Sequence, residues 1–239
     1  NQCEWLGIVT MVEMLAMFFI NDAGDTGTWI LKGHGKVKFW EWLATWAIVI
    51  KNPSDLGFDG SKYILPELKI TSHIVESATT NGLFADIAVG LMDRNAARKD
   101  SIDDRVAKCA DIVNGSTDQW VIWCNRNEES EKLAKLIEGS KDVKGSDTID
   151  YKEKTIDAFT RGELRVLVTK PSICGYGMNW QHCRNTAFVG LSDSWESYYQ
   201  AIRRFWRFGQ TDIVNCHVIS AESEGAVVEN IRRKELQNQ

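Results

Sequence analysis

No stretch of this 239-residue chain is apolar for the roughly 20 residues that a bilayer-spanning helix needs. The longest candidate, residues 5–20, is interrupted by Glu13 and lacks the basic flank of a signal peptide, so it reads as a buried helix. A Cys-x-x-Cys pair is also missing. Cys3, Cys109, Cys124, Cys174, Cys183 and Cys216 are scattered through apolar segments, which points to reduced thiols in a cytoplasmic protein with no membrane partner. Cys174, His182 and Cys183 lie close in sequence, but no second cluster completes a four-ligand metal site, and packing accounts for them better. The phosphate-cradling string G-x-x-x-x-G-K-[ST] is absent as well. The nearest approach, Gly33-His34-Gly35-Lys36, lacks both the spacing and the hydroxyl residue. No glycine follows the strand ending at Cys124, which runs into Asn125-Arg126-Asn127. That argues against a dinucleotide-binding oxidoreductase or a methyltransferase. Nor is there an excess of positive charge. With 28 basic and 33 acidic residues the net charge is -5, which excludes a basic nucleic-acid-coating protein but not a local basic site in a cleft.

What is present fits one sizeable α/β domain with an appendage. The chain opens on Asn1 rather than Met and is expected to be an internal piece of a longer polypeptide. Residues 1–75 differ in character from the rest. They carry Trp5, Trp29, Trp40, Trp42 and Trp46, and two helical patterns flank a Gly/Asp-rich loop at 21–27. Phe39, Leu43, Trp46 and Ala47 recur at the spacing of one helix face. Asn52-Pro53-Ser54-Asp55 then breaks the helix and starts a turn, and residues 64–71 read as a short extended segment.

From residue 76 the pattern alternates between helix and strand. Buried strands are expected at 120–124, 165–169, 186–191 and 214–219, with a weaker one at 141–144. Capping pairs are expected at Ser101/Asp104, Asn125/Glu128, Asp150/Glu153 and Asp193/Glu196, the last opening a helix that runs to Phe208. Such alternation implies a parallel sheet flanked by helices on both faces, preceded by the N-terminal helical segment. Ligands of such sheets collect beyond the C-terminal strand ends, which singles out the loops at Asn125, residues 144–146, residues 169–179 and Ser192.

The strongest chemical signal is residues 200–210. At 100° per residue, Gln200, Arg203, Arg204 and Arg207 fall on one stripe, while Tyr198, Ala201, Ile202, Phe205, Trp206 and Phe208 take the other side. An ordinary solvated face mixes Glu with Lys, whereas this stripe holds three arginines and a glutamine with no acid. Guanidinium groups grip phosphate oxygens through paired, charge-assisted hydrogen bonds, so the stripe reads as an anion-binding surface.

These residues resemble motif VI of superfamily-two helicases, and the trailing Arg207-Phe208-Gly209-Gln210 resembles the Swi/Snf-like branch of DNA translocases. The resemblance covers roughly residues 100–235. It implies a RecA-like second lobe in which Arg207 is the arginine finger on the γ-phosphate, Arg204 holds the same phosphate region and Gln200 lies beside the nucleotide. Arg203 departs from the acidic residue often seen in this branch. Gly175-Tyr176-Gly177-Met178-Asn179-Trp180 resembles the core of motif V, which assigns Gly175, Gly177 and Asn179 to nucleotide binding. Glycines there permit close backbone approach or positive φ, though two glycines after a strand also make a plain turn. Lys170 and Ser172 stand where that motif begins and would touch DNA, although their spacing to Gly175 differs slightly from the usual form. Lys144, Gly145 and Ser146 resemble the branch's Gly-Ser loop on the DNA backbone; an exposed polar turn fits them equally well.

Residues 1–75 resemble the inter-lobe linker of prophage-encoded members, and 76–239 the helicase C-terminal domain. The full-length protein would then use ATP and Mg²⁺, act on DNA, chiefly double-stranded, and close against its N-terminal RecA-like lobe. The fragment alone is expected neither to hydrolyse ATP nor to hold nucleotide tightly. The alternative is a non-catalytic helicase-like module that binds DNA or protein.

Overall fold

Five consecutive residues without a charged side chain, Trp120–Cys124, leave a strand with no face to give to water, and its neighbours are built alike. In the computed structural model, which describes residues 2–22, 25–50, 52–75, 99–192 and 194–221, this strand lies inside a six-stranded parallel sheet. The strands are β3 (Leu68–Val75), β4 (Trp120–Cys124), β5 (Ser140–Asp142), β6 (Val166–Thr169), β7 (Asn185–Val189) and β8 (Val214–Ala221), in the order β3-β8-β7-β4-β6-β5. Every pair is parallel, with Trp120 beside both Val166 and Asn185 and Asn185 beside Asn215. β5 and β6 lie on one side of β4, and β7 and β8 on the other. The chain therefore reverses direction across β4, at the topological switch point where open α/β sheets form a crevice.

Alternation along the strands sends side chains into two cores. Val121, Trp123, Leu167, Phe188, Cys216 and Val218 face one way, onto Phe159 of α6 (Ile149–Thr160) and onto Tyr198, Ala201 and Ile202 of α8 (Trp195–Ile202). Trp120, Ile122, Val166, Val168, Ala187 and Ile219 face the other way. They meet Val106, Cys109 and Val113 of α4 (Ile102–Asn114) and Leu133 of α5 (Asn127–Leu136). Each side chain of Leu or Phe size fully withdrawn from water contributes about 1.5–3 kcal/mol, so the two layers clamp the sheet from both faces. The parallel sheet covered by helices on both faces is the architecture expected from the sequence.

The chain divides into two compact units, Asn1–Gly60 and Ser61–Gln239. The segmentation expected from sequence placed residues 68–75 with the N-terminal segment. In the structure these residues are an edge strand of the sheet, paired along its whole length with β8 from Leu68↔Val214 to Val75↔Ala221. The first unit holds α1 (Gln2–Trp5), α2 (Met11–Phe18), the antiparallel hairpin of β1 (Phe19–Asp22) and β2 (Asp25–Leu31), and α3 (Lys36–Ala44). The hairpin occupies the stretch expected as a loop at 21–27. The buried helix expected over 5–20 is instead split by Gly7 at φ 69° and by the Thr10/Glu13 capping box that starts α2 afresh. Only Cys3 and Gly35 are buried among this unit's described residues, and Trp5 is 85% exposed. The expected turn does form at Asn52–Asp55, where Asn52 caps Pro53–Leu56.

Candidate functional site

The connection from β6 to β7 is shaped by two glycines and anchored by a tryptophan. Pro171 opens the single turn α7 (Pro171–Cys174), and Gly175 N donates to Pro171 O at 2.8 Å. A Cβ at Gly175 would run into that carbonyl oxygen, so the close approach requires glycine. Gly177 adopts φ 78°, the left-handed region. Trp180 then turns inward among Phe159, Trp123 and Phe205, and its Nε1 donates to Thr160 Oγ1 at 3.0 Å.

The arginine segment packs on this loop. α8 starts at Ser194, whose Oγ accepts from Ser197 N at 3.2 Å; the expected cap, Asp193, lies outside the described residues. The helix ends at Ile202, not at Phe208 as the amphipathic pattern suggests. Trp180 N donates to Arg204 O at 2.9 Å and Gln181 Nε2 donates to Phe208 O at 2.9 Å. Those carbonyls thus find partners outside any helix, and residues 203–209 proceed by tight turns. Gln200, Arg203, Arg204 and Arg207 therefore do not form one helical stripe. Arg204 and Arg207 nonetheless converge, their NH1 groups donating to Met178 O at 3.2 and 3.4 Å. Arg204 also donates through Nε to Gln200 O and through NH2 to Gln200 Oε1. Arg203 goes elsewhere, its guanidinium held against Tyr199 and Trp206.

Among the described residues none of these three arginines pairs with a carboxylate. Burial, followed by the charges of Arg207 and Arg203, holds the Arg204 guanidinium below its ordinary pKa. Carbonyl oxygens satisfy some donors but leave the net charge standing. Guanidinium groups in this setting suit an anion that offers several oxygens, as a carboxylate or a phosphate does. Of the other residues expected here, Gly175 and Gly177 shape the loop and Asn179 is exposed on it, one residue from Met178.

The loop after β5 is a separate place. Lys144 Nζ contacts Glu131 at 3.1 Å and Asp142 at 3.4 Å, and its ammonium pKa is raised, chiefly by the Glu131 hydrogen bond. Its backbone N–H donates to Asp147 Oδ2 at 2.7 Å. Among the described residues the amides of Gly145 and Ser146 have no internal partner, while Lys152 Nζ donates to Gly145 O. Whatever this loop offers a phosphate therefore comes from the two amides more than from Lys144. Lys170 and Ser172 stand at the C-terminal end of β6, and Lys170 makes no ion pair among the described residues.

Residues 104–209 match the family model described as the helicase conserved C-terminal domain. The match takes in somewhat less than half of the chain. Within the match fall the β6–β7 loop and all three arginines. The chain is 29% identical over 134 residues to ATP-dependent DNA helicase Q4 of Homo sapiens, covering 48% of this chain and 11% of that one. Among solved structures it is similar to the RNA-helicase Prp28 from Chaetomium thermophilum bound to ADP. There the TM-score is 0.53 at 15% identity, over 72% of this chain and 37% of that one, which establishes the RecA-like fold. The C-terminal part of the Fun30 ATPase domain aligns with TM-score 0.47 and 17% identity, over 56% of this chain and 46% of that one. The chain thus spans about a tenth of the curated relative and less than half of either solved chain.

Behind the sheet's C-terminal rim the α/β domain carries a network that no sequence motif announced. Arg105 NH1 pairs with Glu129 Oε1 at 2.9 Å, both fully buried, and Arg105 Nε donates to Ser101 Oγ at 3.0 Å. Ser101 is thus spent on Arg105 and makes no cap bond. The other carboxylate oxygen of Glu129, not Glu128, accepts from the amides of Asn125 and Arg126 at 2.9 and 3.0 Å. Asn125 Nδ2 in turn donates to Gly190 O at 3.3 Å. Gly190 sits at φ 74°, where a Cβ would run into Arg105 NH1. This network fixes the loops after β4 and β7, which border a shallow rim pocket with Trp123, Pro171 and Tyr198. α6 is likewise capped by Thr148, accepting from Tyr151 N, and not by Asp150. A conserved-looking spacing gives no hint of the Arg105–Glu129 pair. The one available signal was a Gly directly after a buried strand, which marks close approach of another group.

Of the clustered Cys174, His182 and Cys183, the two cysteines are buried in the core while His182 is exposed. Burial pushes the Cys183 thiol up to about 12 and raises Cys174, and the His182 ring packs on Phe159. No helix among the described residues is long and apolar enough to cross a membrane.

Proposed function

We propose that this chain is the C-terminal motor lobe of an ATP-dependent DNA helicase or translocase of superfamily two, in the Swi/Snf-like branch and prophage-encoded. Arg207 is its arginine finger. The observation that carries this reading is the convergence of Arg204 and Arg207 on Met178 O without a carboxylate partner. Three of the five Arg204 donors are committed to Gln200 and Met178, which makes it the rigid member. Arg207 has one long contact and keeps its remaining donors for a ligand. A triphosphate fits this site because only an anion relieves the like-charge crowding at Arg204.

In the full-length protein the partner lobe of the same polypeptide delivers ATP and Mg²⁺. Arg207 meets the γ-phosphate as charge develops on it, with Gln200, Gly175, Gly177 and Asn179 bordering the nucleotide. Lobe closure then ratchets the protein along double-stranded DNA, gripped through Gly145, Ser146, Lys144, Lys170 and Ser172, in the cytoplasm. The Asn1–Gly60 unit is part of the segment joining the lobes. The fragment alone does not turn over ATP.

Arg207→Ala in the full-length enzyme lowers DNA-stimulated ATP hydrolysis by about 10³–10⁵-fold with circular dichroism unchanged. Retention of most of the activity contradicts the assignment and favours a non-catalytic helicase-like module.

A further inference from the structure

α8 presents a second surface beside the arginine pair. Trp195, Tyr199 and Arg203 recur at i, i+4 and i+8, which on a helix is one narrow row. The Trp195 and Tyr199 rings stack with centroids 4.9 Å apart and planes 21° apart. The Arg203 guanidinium carbon follows, 5.8 Å from the Tyr199 ring centre and 5.4 Å from that of Trp206, which prolongs the row beyond the helix. Trp206 is fixed from behind, its Nε1 donating to Pro66 O at 2.7 Å. Tyr199 stays 38% exposed. Among the described residues Arg203 makes no ion pair and no side-chain hydrogen bond, and the Tyr199 hydroxyl has no partner.

Planar groups alternating with a guanidinium are what a nucleobase stacks on, because every base has a π-face and an arginine plane adds cation–π attraction. A bare row of this kind has little reason to remain half in water. Its free N–H and O–H groups also suit the nitrogen and oxygen acceptors of a base edge. The charges of Arg203 and Arg207 both act on Arg204, so the row ends close to the phosphate-binding candidates, within reach of a ligand that carries both a flat ring and a polyphosphate.

We infer that the row Trp195, Tyr199, Arg203 and Trp206 seats the base of the bound nucleoside triphosphate, stacked on Tyr199 and the Arg203 guanidinium. The inference rests on the Arg204/Arg207 reading proposed above. It also gives Arg203, the residue that departs from the branch's acidic pattern, a task of its own.

The test uses the 239-residue chain and NMR titration with ATP, inorganic tripolyphosphate and a short single-stranded thymidine oligonucleotide. ATP binds about tenfold more tightly than tripolyphosphate, the lower range of what one stacked ring contributes. Tyr199→Ala abolishes that advantage and leaves the tripolyphosphate affinity unchanged, whereas Tyr199→Phe keeps it. Equal affinities for ATP and tripolyphosphate in the parent chain overturn the base seat while leaving the phosphate site standing. Failure of tripolyphosphate to bind at all overturns the arginine reading, and the base seat with it. If Tyr199→Ala weakens the oligonucleotide and not ATP, the row serves strand bases and the inference is wrong.

Discussion

Two arginine sites in this α/β domain stand in opposite electrostatic states. Arg105 is wholly buried and fully matched: Glu129 supplies its counter-charge, Ser101 another acceptor, and the same carboxylate spends its second oxygen on the amides of the β4 loop. Arg204 and Arg207 are half-buried and, among the described residues, have only carbonyl and amide oxygens for company. A buried charge without a partner costs several kcal/mol, so the first site has to be complete within the chain. The second tolerates incompleteness because water still reaches it. An arginine that holds the fold thus differs from one left open to a ligand. The first has its anion among the described residues; the second has none there.

Removing the anion where it is built in has the largest effect on folding. Glu129→Ala strands the Arg105 charge and destabilises the domain by about 3–5 kcal/mol in urea denaturation, whereas Arg207→Ala moves stability by less than about 0.5 kcal/mol. Replacing both partners, Arg105→Met with Glu129→Leu, costs less than Glu129→Ala alone. Equal losses for Glu129→Ala and Arg207→Ala would erase the distinction between the sites.

The contrast also marks how far the sequence could be read. Apolar runs announced β4 and β6 because burial on both faces of a parallel sheet disfavours charged residues there, while β8 alternates apolar with polar residues in its first half. Motif spacing located the loop and the arginines, and Met178 does unite them. The helix end was not legible. Its apolar rhythm continues through Phe205, and only the long-range bond from Trp180 N to Arg204 O stops it at Ile202. The caps at Ser101 and Asn125 failed for a similar reason. A tertiary partner, Arg105, claimed Ser101, and Glu129 took over the amides that Glu128 was expected to meet. In the Asn1–Gly60 unit, the apolar run at residues 5–20 suggested a buried helix that the described residues do not show.

A smaller effect comes from a third basic site, at the β3/β8 edge. His73 Nε2 and His217 Nδ1 lie 2.9 Å apart, within reach for one imidazole to donate to the other, and their ring planes are 14° from parallel. Burial and Lys108 depress the His73 pKa; burial, His73 and Lys69 depress that of His217. Unfolded histidine protonates near pH 6.5, so below that pH the unfolded chain binds more protons than the folded one. The pair's contribution is complete above about pH 6.5 and is lost as the pH falls through the folded values. The urea midpoint therefore declines between pH 7.5 and 5.5, and more shallowly in His217→Asn. An unchanged slope in that variant shows that the loss arises elsewhere.

The account stands most directly on whether Arg204 and Arg207 lack an anion that a ligand supplies. Thermal unfolding of the chain with inorganic tripolyphosphate at ten times its dissociation constant measures this. The expected stabilisation is about 1.4 kcal/mol, which lifts the midpoint by roughly 3–5 °C in the parent chain and is lost in the Arg204→Ala/Arg207→Ala double variant. A midpoint that rises equally in both proteins, or in neither, contradicts it.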